Sequence, residues 1–240
     1  MDQKNNPPGK LYIISIYSIS CIFLLLYFIL SFHSRLAGDD FFYLWLKNTY
    51  GAWDGMIYQY NLWSGRWFAH FTGCAMISLW KYPYFLPLIN LVTLVLLYFS
   101  LLLGFEKILT LINIRVEKII IPALIIILML SFFFLSYTIG ETWFWYIIIL
   151  TYLWSIIGFI FLLDCIFSDN ASIVNYCMIL IFSAYIGGAS ESYALIFLSF
   201  LILLLFYKWQ ILNEQPFNTV NSRIIIALVI LTISFSFSAF

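Results

Sequence analysis

The 240 residues carry 11 acidic and 11 basic side chains; 64% are hydrophobic, 21% aromatic, and the mean hydropathy is +1.02. A soluble domain clothes itself in roughly a quarter charged residues, against 9% here, so most of this surface must face lipid or apolar helices: the chain reads as a polytopic membrane protein. Zero net charge with no basic stripe argues against a nucleic-acid partner.

In chain order, MDQKNNPPGK (1–10) is polar and basic, expected on the cytoplasmic side, and 11–32 runs without a charge. Signal-peptide cores are about 7–15 residues long. This run is longer and lacks a convincing small-residue cleavage site, so it reads as an uncleaved first transmembrane helix. A crossing helix needs about 20 apolar residues. By that measure further spans fall at 84–105, 119–139, 142–163, 172–189, 192–207 and 224–240. The runs are continuous rather than alternating, which argues against strands. The expectation is an all-α helical bundle of about seven transmembrane helices, with 84–240 holding all but the first and an outer loop at 33–83 carrying juxtamembrane helices.

Inside that loop, WFAHFTGCAMISLW (67–80) is too short to cross. Trp67, Phe68, Phe71, Ala75 and Leu79 recur at helical spacing, so the segment reads as an interfacial helix. With 67–80 not crossing, Lys4, Lys10, Lys107, Arg115, Lys118, Lys208 and Arg223 lie inside, and Arg35, Lys47, Arg66 and Lys81 outside. That bias agrees with the positive-inside rule. It also gathers Asp39, Asp40, Asp54, Arg66, Glu141 and Glu191 on the outer face. Cys21, Cys74, Cys165 and Cys177 are scattered without metal-ligand spacing, so no metal site is read.

Two clusters of polar residues bear on chemistry. In LAGDDFFYLW (36–45), Gly38 breaks the first helix and one aspartate suffices to cap the next. The second is left over, and a neighbouring like charge raises its proton affinity. Either aspartate can serve as base while the other caps; Asp39 is the more natural cap, which tilts the choice of base toward Asp40. Downstream, WSGR (63–66) sets Arg66 at the same level, and a guanidinium fork suits a phosphate. Trp63 adds an aromatic face. Glu141 in YTIGETWFWY and Glu191 in YIGGASESYA stand alone at two hairpin turns. Glycine-and-polar turn chemistry explains them as well as a site does, and Trp143 reads either as an interface-belt residue or as a sugar-stacking platform.

The pieces AGDDFFY, WSGRWF, GETWFWY and GGASESY, spread over roughly residues 36–195, resemble bacterial GT-C-type integral membrane glycosyltransferases, nearest to the GtrII-like and related multi-pass members. The resemblance implies transfer from a polyprenyl-phosphate-linked sugar on the outer side of the cytoplasmic membrane. It implies an aspartate of the first outer loop (Asp39 or Asp40) as catalytic base, Arg66 on the donor phosphate, and Glu141 and Glu191 lining the cavity. Many such relatives use a divalent cation; no third clear ligand stands out here, and the cofactor is left open. Such enzymes are usually longer, so a chain stopping at Phe240 inside an apolar run is expected to be a truncated member. The rival expectations are a non-enzymatic flippase or transporter of lipid-linked glycans and a structural envelope subunit. Against a coupled transporter, no span has an acid at its centre.

Overall fold

In hydrocarbon a backbone must satisfy its own hydrogen bonds, which continuous apolar runs do by coiling into helices. The computed structural model describes residues 9–111, 114, 116–117, 120–168, 172–211 and 218–238. The N-terminal stretch 1–8 with Lys4, and Arg115 and Lys118, lie outside those residues. Every regular element described is helical: α1 (Gly9–Phe32), α2 (Asp39–Leu62), α3 (Trp67–Ile77), α4 (Phe85–Leu111), α5 (Ile120–Leu135), α6 (Ile139–Phe144), α7 (Tyr146–Phe167), α8 (Ile173–Ala189), α9 (Glu191–Phe206) and α10 (Thr219–Ser238).

Five helices, α1, α4, α7, α9 and α10, are long and apolar enough to cross a membrane, while α5 and α8 are apolar but shorter. The all-helical architecture therefore stands, with five candidate spans by length and composition among the described residues where about seven were expected. At 1.5 Å per residue, the 16 residues of α5 reach only about 24 Å, short of the ~30 Å hydrocarbon core. The span expected at 142–163 begins later, because Trp145 adopts an extended backbone (φ −88°, ψ 114°) that splits the short α6 from α7.

The loop segment is largely structured. Positive φ at Gly51 (φ 87°) interrupts α2, and the chain folds back on itself there. A Cβ on Gly55 would lie 3.4 Å from the Leu46 carbonyl oxygen, a closeness that a straight helix forbids over nine residues. Tyr50 and Tyr58 stack across this corner at 5.0 Å. The 11-residue α3 is too short to cross and packs against both α2 and α8.

Two cores divide the bundle. One joins α1, α2, α4, α5 and the start of α7 around Tyr27, Phe133, Trp143 and Tyr146. The other joins the end of α7 to α8, α9 and α10 around Leu162, Ile186, Leu201 and Leu231. In the second, α8 and α10 meet at Gly187, where a Cβ would stand 2.7 Å from both the Leu231 carbonyl oxygen and Ser234 Cβ. Ser234 and Ser238 hydroxyls donate across this crossing to Ala184 O (2.6 Å) and Gly187 O (2.9 Å). Gly187→Ala should therefore overpack it by about 1–3 kcal/mol, read as a lower melting temperature in detergent. An unchanged melt would contradict so close an approach.

The two ends of the bundle hold different polar contacts. At one end the Arg66 side chain reaches Glu191 (2.7 Å), and Asp40 accepts from Ile147 N (3.2 Å). At the other, Arg223 donates to the carbonyls of Cys165 and Ile166 at the end of α7 (3.3 and 3.2 Å), and Lys208 lies 5.9 Å over the Phe167 ring.

Candidate functional site

A cavity of about 570 Å³ opens at the end of the bundle that holds Arg66 and Glu191, between the two arms of α2, the turn 63–66, α3 and the start of α7. Its wall includes Asp39, Tyr43, Gln59, Trp63, Ser64, Arg66, His70, Trp145, Thr151 and Tyr152. Asp39 and Tyr43 share one face of α2 because they are one helical turn apart. Thr151 and Tyr152 sit in a π-helical stretch, Ile149–Leu153, within α7; such stretches often mark functional sites.

The structure separates the two aspartates by burial and by partners. Asp39 is exposed on the cavity wall. Asp40 is fully buried, its two carboxylate oxygens accepting from Ala37 N (3.0 Å) and Ile147 N (3.2 Å). It thus ties the first turn of α2 to the start of α7. The physical reason is that the carboxylate reaching back to Ala37 N serves the same purpose as a capping side chain, so the capping work falls to the second aspartate. Burial raises the Asp40 pKa from the ordinary 3.8 to about 6, against the opposing pull of the two backbone donors. The Trp145 indole N–H, buried without an acceptor at full hydrogen-bonding geometry, is near enough to favour the ionised form further. Trp145 also explains Gly38: φ is +47° there, and a Cβ would stand 2.7 Å from the indole ring.

Arg66 donates from Nε to Glu191 (2.7 Å) and from a terminal nitrogen to the Tyr152 hydroxyl (3.2 Å). Burial works against the guanidinium charge, but Glu191 and Tyr152 outweigh it and hold the pKa above its ordinary value. These two bonds use part of the guanidinium fork, and the rest is available to a ligand at the cavity wall. The ion pair is about one-third exposed on each side, so it contributes at most about 1 kcal/mol to stability.

Beneath the WSGR turn lies His70, which is buried. Its Nε2 is 3.0 Å from the Ser64 carbonyl oxygen and 3.0 Å from Ser64 Oγ, and its Nδ1 is 2.6 Å from Tyr43 OH. A carbonyl oxygen only accepts, so the proton is assigned to Nε2 and Nδ1 accepts from the phenol. Burial lowers the His70 pKa from 6.5 to about 4 and pushes the Tyr43 phenol up. A neutral imidazole and a protonated phenol therefore hold the turn that aims Arg66.

Of the residues singled out in the sequence, Asp39, Trp63 and Arg66 line the cavity, and Glu191 joins it through Arg66. Trp63 is 77% exposed there. Glu141 does not reach the cavity wall; it accepts from Thr138 Oγ1 (2.9 Å) at the start of α6 and acts in the turn. Trp143 is fully buried against Tyr27, Phe132 and Phe133, and donates to Ser136 Oγ (3.1 Å). Trp145, two residues on, is the tryptophan of the GETWFWY segment that reaches the cavity. Ser64, His70, Tyr43, Gln59 and Tyr152 were not anticipated. The adjacent histidine in WSGRWFAH was the one available signal for them. Among the described residues, no three His, Cys, Asp or Glu side chains gather as a metal site.

Comparisons with protein-family models, with curated proteins and with solved structures give no match.

Proposed function

We propose that this chain is a GT-C-like membrane glycosyltransferase that takes a sugar from a polyprenyl-phosphate donor to a cell-envelope glycan or lipid acceptor. In this reading it lies in the cytoplasmic membrane of a bacterium with the N-terminus cytoplasmic and the cavity outward. Membrane lipids and the lipid-linked donor are its partners. One observation carries the reading: Asp39 and Arg66, far apart in sequence, stand on the wall of one cavity where a loop-borne polar surface meets the apolar bundle. That arrangement suits a substrate with a charged phosphate head and an apolar tail.

The chemistry follows from the two groups. The Asp39 carboxylate takes the proton of the acceptor hydroxyl as its oxygen attacks the anomeric carbon. The anomeric C–O bond to the phosphate breaks, and polyprenyl phosphate leaves with the electron pair. Arg66 meets the phosphate charge, where fixed donors are most effective. Asp40 holds the first turn of α2 and is not the base. Trp63 presents an aromatic face to the sugar.

The test uses the purified full chain in proteoliposomes with a panel of radiolabelled polyprenyl-phosphate sugars and envelope glycan acceptors. Label should pass to an acceptor, and Arg66→Lys should raise the donor KM, since an ammonium cannot reproduce the planar fork. Donor moved across the bilayer with no new glycosidic bond would favour the flippase reading instead. Absence of both transfer and donor binding would overturn the proposal.

A further inference from the structure

A second cavity, about 600 Å³, lies in the half of the bundle opposite the first, between α4, α5, α7 and α9. Its body is apolar, walled by side chains such as Leu101, Leu128, Ile160 and Phe200. Two half-buried charges, Lys107 and Asp164, share its lining.

Their placement is set by helix geometry. The helices α4 and α7 approach at Gly104, where a Cβ would lie 2.9 Å from Ile160 Cγ2. One turn further along each, at i+3 and i+4 on the same faces, stand Lys107 and Asp164. They therefore lie at one level near the bundle end, where head groups meet acyl chains. No ion pair joins Lys107 to Asp164, so the two charges stand apart on the lining. Phe167 of the same lining carries Lys208 over its ring. A groove of this kind, apolar along its length with a separated cation and anion at its mouth, is complementary to one molecule class. We infer that it is a binding site for a phospholipid bearing a primary amine, in the leaflet opposite the first cavity. Lys107 meets the phosphate, Asp164 accepts from the ammonium group, and one acyl chain fills the groove. A choline head group offers no N–H to Asp164, and a glycerol head group offers no cation. The site is independent of the proposed transfer.

The experiment is native mass spectrometry of the full chain in detergent, with dioleoyl phosphatidylethanolamine, phosphatidylcholine or phosphatidylglycerol added in turn. One phosphatidylethanolamine should be retained over either competitor by about three- to tenfold, the discrimination expected of one partly exposed charge-assisted contact. Asp164→Leu, which leaves no acceptor, should erase the preference over phosphatidylcholine, and Lys107→Gln should weaken retention of both. Leu128→Trp, which fills the groove without touching either charge, should displace the lipid. Equal retention of all three lipids by the native chain, or a preference surviving Asp164→Leu, would overturn the inference. So would a dimer that excludes lipid from the groove, since the occupant would then be a second copy.

Discussion

Asp39→Asn should lower sugar transfer about 10²–10⁴-fold, the range for loss of a positioned general base, while leaving the melting temperature nearly unchanged. Asp39 is exposed on the cavity wall, and surface substitutions away from caps and buried contacts usually change stability by less than about 0.5 kcal/mol. Asp40→Asn should do the reverse. An amide has one oxygen for the two backbone N–H groups now held by the carboxylate, so one buried donor faces another. That costs about 1–3 kcal/mol, with transfer per folded molecule largely kept. The pair thus separates a chemical role from a structural one at adjacent positions. Full transfer by Asp39→Asn would remove Asp39 as the base.

The second large effect is a pair of opposed pH dependences. Asp40 has a folded pKa of about 6, above its ordinary 3.8. Between those values the folded chain binds more protons than the unfolded one. Its stabilisation is therefore complete below 3.8, declines as pH rises to about 6, and is flat beyond. His70 runs the other way, from 6.5 down to about 4. The unfolded chain binds more protons there, so stability rises with pH across that window. Each dependence amounts to roughly 3 kcal/mol over its window, and in the native chain the two nearly cancel between pH 4 and 6. Removing one exposes the other. Relative to the native chain, Asp40→Asn should grow more stable as pH rises from 4 to 6, and His70→Gln less stable. Thermal melts of the three proteins, taken as differences, read this directly. Two differences of the same sign would contradict the burial of one group or the other.

Apolar runs without charges dictate helices, so most helical segments were legible, and α3 was placed as non-crossing by its length alone. What was not legible was local backbone geometry. The extended residue Trp145 shortens a span and exchanges one tryptophan for another at the cavity, because residues on either side of a break no longer follow one helical period. Which of Asp39 and Asp40 is buried was not legible for a related reason: which carboxylate reaches back to Ala37 depends on the left-handed turn at Gly38 and on the tertiary approach of Ile147. Neither leaves a spacing signature. Arg66 and Glu191 were each visible as isolated charges in apolar surroundings, but their pairing across 125 residues needs the packing of α3 against α8. His70, one of two histidines in the chain, was visible beside WSGR, but no spacing shows that its ring joins Ser64 to Tyr43.

The central claim is that the acid-bearing turns and the folded outer segment meet at one membrane surface, where Asp39 and Arg66 share a cavity. Its most direct test is membrane-impermeant maleimide labelling of single cysteines at Asn61, Tyr137 and Glu117, in a chain whose own four cysteines are alanine. All three positions are exposed. Asn61 and Tyr137 should react from the same face of sealed vesicles, and Glu117 only from the other. Labelling of Asn61 and Tyr137 from opposite faces would contradict the arrangement.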